Sequence, residues 1–135
     1  MGLYQDARAR TGMLVAQALR ACRLVVDTGI HHKQWTRNQA LEFMTENLAL
    51  SEHVITIEVD RYIIWPGQAL SYMVGMKEIQ KLQAQASQVL GSSFDLKSFH
   101  DQVLAQGAVP MTILANQIRQ WVESVSDPNQ PVPKS

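Results

Sequence analysis

Apolar residues recur at steps of three and four along most of the chain, which is the spacing that gives a helix one buried face. From Asp6 to Thr28 this pattern predicts a single long helix, whose other positions are largely basic or polar. Gly29 follows at once, and glycine readily adopts the left-handed backbone conformation that ends helices. At about 1.5 Å per residue the predicted helix is roughly 35 Å long, close to the width of a small domain.

Start and stop signals divide the rest of the chain into five further helices. Thr36 and Gln39 form a Thr-x-x-Gln capping box at the start of the second helix. The later boundaries coincide with residues that commonly begin or end helices: Ser51, Pro66, Gly67, Gly91, Asp95, Gly107 and Pro110. The segment EHVITIEV alternates as a strand would, but Glu58 and Arg61 keep helical spacing and no hairpin turn flanks it, so we predict a helix there.

These signals predict an all-α protein, an array of about six helices, two of them long, joined by short loops. A chain of 135 residues suits one domain. We expect that domain to span residues 1–125, and we expect residues 126–135, which contain three prolines, to form a flexible tail. Gly75 lies inside the fourth predicted helix, where glycine is less favourable than alanine, and this suggests close packing against another helix.

The charge balance argues against partners that are recognised by bulk electrostatics. Twelve Lys and Arg residues balance twelve Asp and Glu residues, so no net positive field attracts nucleic acid or an anionic membrane. No apolar run reaches the roughly 18–20 residues that cross a bilayer, and the N-terminus lacks a signal-peptide pattern. We therefore expect a soluble chain with no nucleic-acid or membrane partner. The one cysteine, Cys22, excludes an internal disulfide and a cysteine-based zinc cluster.

Several well-known chemical motifs are absent from the sequence. It has no G-x-x-x-x-G-K phosphate loop, no His-Glu-x-x-His motif and no serine in a Gly-x-Ser-x-Gly turn. The four histidines are scattered without metal-ligand spacing: His31, His32, His53 and His100. The sequence therefore predicts no metal site and no cofactor within this chain.

The stretch DTGIHHK, residues 27–33, places two histidines just beyond the predicted end of the first helix. A protonated imidazole there is stabilised by the partial negative charge of the helix C-terminus, by about 0.3–1 kcal/mol. His31 is therefore either a capping group or a functional imidazole that titrates near neutral pH. Arg23 and Asp27, four residues apart on the same helix, are expected on a solvated face.

The segment EVDRYIIWPGQALSY, residues 58–72, holds the densest set of polar and aromatic side chains. Glu58 and Arg61 share a helical face, and Gln68 and Tyr72 lie one turn apart on the next predicted helix. A Pro-Gly corner lets polar side chains from two helices converge on a ligand. The same residues also suit a corner held together by its own hydrogen bonds, and the pattern leaves both interpretations open.

Three blocks of the sequence resemble one bacterial family in their order and spacing: RLVVDTGIHHKQW (residues 23–35), EVDRYIIWPGQALSYMVG (58–75) and FHDQVLAQGAVP (99–110). Together they resemble the C-terminal part of the bacterial domain-of-unknown-function family numbered 885, from about residue 2 to 121. Members of that family look like helical zinc metallopeptidases of the gluzincin type. The resemblance therefore implies chemistry related to peptide hydrolysis.

The zinc site of that family resides in a His-Glu-x-x-Pro-Gly-His-His block and a later Glu-Gly-Trp block, both of which precede the matched region. This sequence has neither block. The resemblance thus implies the C-terminal, substrate-side portion of a larger metallopeptidase-like fold, as a truncated copy or an excised piece. We expect the chain to hold no zinc and to be inactive by itself, since zinc is implied only for the full-length family.

The resemblance also implies donors for the reaction. His31 matches the histidine of the family's Asp-Thr-Gly-Ile-His block, and Tyr72 lies in its Pro-Gly-Gln-Ala-Leu-Ser-Tyr block. Both would donate hydrogen bonds to the oxyanion or to the substrate, but only together with the missing zinc half.

The other implied residues would bind the substrate or support the site. Arg61 suits a carboxylate clamp, because a guanidinium can donate two parallel hydrogen bonds. Gln68 and Tyr62 would also bind substrate, and Asp27 would hold the substrate-binding residues in place without contacting the substrate. The ligand class implied is a peptide or a carboxylate.

Two other functions stay open. A piece of a larger enzyme exposes apolar surface, so the chain could instead be a helical interaction module that binds a missing N-terminal half or a second copy of itself. It could also be a small carboxylate or peptide binder that uses the corner between Arg61 and Tyr72. The resemblance further implies that many relatives are exported or lipid-anchored through a preceding N-terminus.

Overall fold

Six α-helices account for most of the chain, as a computed structural model that describes residues 4–127 shows. They are α1 (Ala7–His31), α2 (Arg37–Asn47), α3 (Glu52–Ile64), α4 (Ser71–Leu90), α5 (Leu96–Leu104) and α6 (Met111–Ser126). Two short 3-10 helices, Gln68–Leu70 and Gly91–Ser93, flank α4. No strand occurs within residues 4–127, so the all-α prediction, including the helical assignment of EHVITIEV, is confirmed there.

The predicted capping residues begin their helices. Thr36 and Gln39 form the expected reciprocal capping box at α2. The side chain of Ser51 accepts a hydrogen bond from the Val54 amide at α3, and Asp95 accepts one from Ser98 at α5. These side chains satisfy backbone N–H groups that a helix start leaves without partners, which is why they are readable from local sequence.

The end of α1 differs from the prediction. Gly29 does not stop the helix, which continues to His31 and is capped by His32. The left-handed residue that turns the chain is Gln34, with a φ of 56°. Gly29 is buried beneath Trp35, and a Cβ at this position would lie 2.5 Å from two carbons of that indole ring. Glycine is therefore required here for close packing and not for its backbone freedom.

The Pro-Gly corner after α3 is also more segmented than expected. Gly67 adopts a left-handed φ of 81°, a three-residue 3-10 helix follows, and α4 begins only at Ser71. Gln68 and Tyr72 therefore lie in different elements. The expectation that Gly75 packs closely against another helix is wrong, because a Cβ built there meets no atom within 4 Å.

The chain divides into two compact units, Met1–Val74 and Gly75–Ser135. In unit 1, the helices α1, α2 and α3, the residue that caps α2 and the 3-10 helix Gln68–Leu70 contribute the core: Cys22, Val26, Ala40, Met44, Leu48, Ile55, Val59, Tyr62 and Ala69. In unit 2, the core comes from α4, α5 and α6: Leu82, Ala86, Phe99, Leu114 and Ile118. The expectation of one domain over residues 1–125 stays a prediction.

Two further expectations concern the chain's end and membranes. Of the predicted tail, Ser126 is the last residue of α6 and Asp127 caps it, while residues 128–135 lie outside the described part of the chain. Among the helices of residues 4–127, none combines the length and the apolarity that crossing a membrane requires.

Candidate functional site

Tyr62 is the centre of a polar network inside unit 1. It lies on the inner face of α3 and is 1% exposed. Its hydroxyl donates a hydrogen bond of 2.5 Å to Glu58, one helical turn earlier. Burial, reinforced by this bond to a carboxylate, raises the pKa of Tyr62 above its ordinary value. The phenol therefore stays neutral and acts as a fixed donor.

His31 contacts the same tyrosine through its backbone. His31 Nε2 lies 2.8 Å from the carbonyl oxygen of Tyr62. A carbonyl oxygen can only accept, so Nε2 carries a proton, and Nδ1 has no partner among the described residues. The neutral ring therefore offers an acceptor at Nδ1, and only the doubly protonated ring offers a second donor.

Arg61 already holds a carboxylate. Its Nη2 donates to Glu58 Oε2 at 2.5 Å, and the Arg61 side chain is 37% exposed. Glu58 thus receives hydrogen bonds from both Arg61 and Tyr62. The predicted clamp for an external carboxylate is, in this structure, paired with an internal one.

Arg23 lies between two tyrosine rings. Its Cζ atom is 4.7 Å from the ring centre of Tyr72 and 5.4 Å from that of Tyr62, both within cation–π range. Its Nη2 donates to the amide oxygen of Gln68 at 2.8 Å. Arg23 is only 7% exposed, so the expectation of a solvated face is wrong at this position.

Asp27 is buried as well, at 2% exposure, and the solvated-face expectation fails for it too. Its carboxylate accepts from the backbone N–H of Gly67, with its two oxygens at 3.0 and 3.2 Å from that nitrogen. This bond attaches the Pro-Gly corner to α1. Asp27 therefore positions Gln68, the next residue, beside Arg23.

All six predicted site residues belong to one set of contacts, which we call the Tyr62 network: Asp27, His31, Arg61, Tyr62, Gln68 and Tyr72. The network requires two residues that the sequence did not assign to the site. Arg23 joins Gln68, Tyr62 and Tyr72, and Glu58 joins Arg61 to Tyr62.

A signal for Arg23 was present in the sequence. The apolar stripe of α1 includes Leu19, Cys22, Val26 and Ile30, and it directly borders Arg23 on the helical wheel. A position beside such a stripe is commonly half-buried, whatever its charge.

The exposures within the network differ. Tyr62 and Asp27 are enclosed, whereas His31 and Gln68 are exposed and Tyr72 is 47% exposed. The Tyr72 hydroxyl makes no hydrogen bond to any described residue, so it is free to donate. A ligand at this surface would meet Tyr72, Gln68 and His31 first.

Metal binding is a separate question. Within residues 4–127 no three His, Cys, Asp or Glu side chains lie close enough together to hold an ion. Cys22 is buried, and burial raises the pKa of its thiol, which disfavours the thiolate that a metal or an electrophile requires.

Two grooves in the described surface contain none of the network residues. One, of about 260 Å³, is lined mainly by apolar residues of α4 and α6 in unit 2, including Leu82, Val89 and Ile118. The other, of about 380 Å³, lies between α2 and α3 and is rimmed by Glu42 and Glu46. Neither groove holds the donors that the network provides.

The family profile described as "Bacterial protein of unknown function (DUF885)" matches residues 1–118. The chain belongs to this family. No curated protein matches the chain. Among solved structures, it resembles "The crystal structure of the putative lipoprotein from Colwellia psychrerythraea", with a TM-score of 0.87 and 47% identity over 90% of this chain.

The match to the Colwellia psychrerythraea protein covers only part of that protein. This chain corresponds to 21% of its length, or about a fifth. The DUF885 profile match, which extends from residue 1 to 118, includes the whole Tyr62 network. The network therefore lies in the part of the chain that carries the DUF885 relationship.

Proposed function

We propose that this chain forms the substrate side of a zinc-dependent peptidase site and that it is inactive without a zinc-bearing partner segment. The observation that supports this best is the Tyr62 network, in which the guanidinium of Arg23, the free phenol of Tyr72 and the imidazole of His31 belong to one set of contacts in unit 1. Membership of the DUF885 family, and a relative several times longer than this chain, agree with a role as one part of a larger site.

His31 and Tyr72 are the proposed donors to the oxyanion or to the substrate. Tyr72 can donate directly, since its hydroxyl has no partner within the described chain. His31 uses Nε2 for the Tyr62 carbonyl, so it can donate only through Nδ1 and only when doubly protonated. Tyr72 therefore donates from its neutral phenol, whereas His31 donates to a ligand only as the imidazolium.

Arg61, Gln68 and Tyr62 form the proposed substrate-binding part, and Asp27 supports it. Arg61 presents a partly exposed guanidinium whose charge Glu58 partly balances. Tyr62 contributes by positioning Arg23. Its hydroxyl already donates to Glu58, and its ring packs against the Arg23 guanidinium. Asp27 holds the backbone of the corner that carries Gln68.

The zinc ion would come from a segment outside this sequence, which has neither of the family's zinc blocks. When bound, zinc supplies a Lewis acid that polarises the scissile carbonyl. The residues of this chain would bind the peptide and donate hydrogen bonds to the developing negative charge.

Metal analysis and a peptidase assay on the isolated chain test the first part of the proposal. We expect no stoichiometric zinc and no peptide cleavage. One tightly held zinc per chain, or cleavage that a chelator abolishes, would contradict it.

Tyr72→Phe tests the second part, in a polypeptide that joins this chain to a zinc-bearing segment of the family. Loss of an oxyanion donor should lower kcat by about a hundredfold or more. Tyr4→Phe is the matched control, since Tyr4 is exposed and lies outside the network. Equal kcat values for the two variants would remove Tyr72 from the mechanism.

A second candidate function, a helical interaction module, is favoured by one face of α3. Val54, Ile57, Ile64 and Trp65 recur at helical spacing and are all exposed. Such a stripe suits contact with the proposed zinc-bearing segment or with a second copy of this chain. Sedimentation at several concentrations tests self-association, and we expect Ile57→Lys to abolish any dimer. A concentration-independent monomer that binds no apolar dye would argue against this function.

A further inference from the structure

Arg23 is a buried cation that lacks a carboxylate partner. Within residues 4–127 three ion pairs form, Arg37–Asp60, Arg61–Glu58 and Lys81–Glu78, and none involves Arg23. Asp27, on the next turn of α1, uses its carboxylate on the Gly67 N–H. Buried charges are normally paired, so a guanidinium in this state indicates an unfilled site.

The hydrogen bonds of Arg23 are also incomplete. Nη2 donates to the neutral amide oxygen of Gln68, whereas Nε is enclosed and has no partner. Arg37 shows the complete arrangement in the same chain: Nε and Nη2 hold the two oxygens of Asp60 at 2.6 and 3.1 Å. Arg23 therefore uses half of the fork that fits a carboxylate.

The surroundings hold the Arg23 guanidinium in place. The rings of Tyr62 and Tyr72 lie within 5.4 and 4.7 Å of its Cζ atom. Little side-chain entropy remains to be lost when a ligand binds, which favours affinity. The second nearby arginine, Arg20, lies 5.6 Å from the Tyr72 ring and adds positive charge.

We propose that Arg23 is a carboxylate-binding residue, and that a ligand carboxylate displaces the Gln68 amide to engage Nη2 and Nε together. Gln68 is exposed and lies in a three-residue helix, so its side chain can swing away. Glu58 is engaged by Arg61 and Tyr62, so it does not compete for Arg23. The carboxylate chemistry follows from Arg23 alone; the assignment to a peptide C-terminus rests on the proposed function.

Nuclear magnetic resonance of the unmodified chain tests this directly through the Arg23 Nε–H signal. The probes are N-acetylglycine, its neutral analogue N-acetylglycinamide, and acetate. We expect N-acetylglycine to shift the Arg23 Nε–H and the Gly67 and Gln68 amides saturably, and the neutral analogue to shift none of them. Equal shifts with both glycine probes, or no shift of Arg23 Nε–H, would overturn the proposal.

The titration with acetate distinguishes two ligands that carry the same carboxylate group, a peptide C-terminus and a small free carboxylate. Weaker binding of acetate than of N-acetylglycine would indicate a peptide C-terminus, because the acetylglycyl group then adds contacts. Equal affinity would support a site for small free carboxylates. Both results retain Arg23 as the anchor.

Two variants supply an independent test. Arg23→Lys keeps the charge but loses the planar fork, so the dissociation constant should rise about tenfold or more, while Arg37→Lys, the same change at a surface pair, should leave it unchanged. Unchanged affinity in folded Arg23→Lys would refute the proposal.

The two proposals can fail separately. Carboxylate binding without any Tyr72-dependent cleavage in the joined polypeptide would retain the Arg23 site and reject the peptidase role. Tyr72-dependent cleavage without a shift of the Arg23 Nε–H would retain the peptidase role and reject the Arg23 site.

Discussion

Units 1 and 2 bury different kinds of side chain. In the described part of unit 2 every buried residue is apolar, with Phe99 packed among Phe94, Trp121 and the ring of His100. Unit 1 buries a comparable apolar cluster but also encloses Arg23, Asp27 and the hydroxyl of Tyr62. The two cores are built from the same element type and differ in what their inner faces carry.

The difference separates stability from site formation. Apolar burial is non-directional and tolerates many arrangements of similar volume. Hydrogen bonds from Tyr62 to Glu58 and from Gly67 to Asp27 require particular distances and partners, so they specify one arrangement. In its described part, the core of unit 2 is therefore held together by apolar packing, whereas unit 1 also contains a polar network with specific partners.

The largest effect should come from the apolar core. Phe99→Ala removes a fully buried ring and should reduce the free energy of unfolding of unit 2 by about 3–5 kcal/mol. Denaturant unfolding followed by the indole N–H nuclear magnetic resonance signal of Trp121 measures the loss. The Arg23 Nε–H signal of molecules that remain folded should not move; a shift would show that the unit 1 network depends on the unit 2 core.

Asp27→Ala tests the polar core in the same way. It leaves the Gly67 N–H without its acceptor, so unfolding of unit 1 should become easier by about 1–3 kcal/mol. Asp27→Asn keeps an oxygen acceptor and should cost less. If alanine and asparagine were equally tolerated in denaturant titrations, Asp27 would not hold the corner.

A glycine pair compares close packing with open space on the same helix. Gly29→Ala places a methyl group 2.5 Å from ring carbons of Trp35 and should destabilise unit 1 by about 1–3 kcal/mol. Gly12→Ala meets nothing within 4 Å and should stabilise α1 by up to about 1 kcal/mol. Thermal unfolding measures both changes. The melting temperature should fall for Gly29→Ala and rise for Gly12→Ala, and changes of the same sign would contradict the comparison.

Tyr62→Phe should have the smallest effect at neutral pH, about 1 kcal/mol, because Glu58 keeps its bond from Arg61. Burial raises the pKa of Tyr62 above the ordinary value of 10.0, so the folded state retains a proton that the unfolded state loses. Its contribution to stability is therefore complete below about pH 10 and decreases as pH rises further.

The free energy of unfolding, measured from neutral to alkaline pH, distinguishes the native chain from the Tyr62→Phe variant. Native stability should decline above the ordinary tyrosine value, and the Tyr62→Phe variant should lack this part of the decline. Parallel profiles would mean that the Tyr62 phenol ionises as freely in the folded chain as in the unfolded one.

Local chemistry explains which parts of the fold were readable in advance. The capping box at Thr36 and the N-caps at Ser51 and Asp95 are formed within four residues of sequence, and each was correctly placed. Gly29 was misread as a helix end because its neighbour in space, Trp35, lies beyond the turn at Gln34. The packing at Gly75 was also predicted wrongly, because its neighbours in space cannot be read from the adjacent sequence.

The sequence by itself determined the six helices, the N-caps at Thr36, Ser51 and Asp95, the DUF885 relationship and six of the residues in the Tyr62 network. Only the tertiary structure decided that Arg23 and Asp27 are buried and that Arg23 stacks between Tyr62 and Tyr72 without a carboxylate partner. The physical reason is the separation along the sequence of the residues that interact. Capping and helical periodicity act over one or two turns, whereas the contacts of Arg23 with Gln68 and of Asp27 with Gly67 join positions 45 and 40 residues apart.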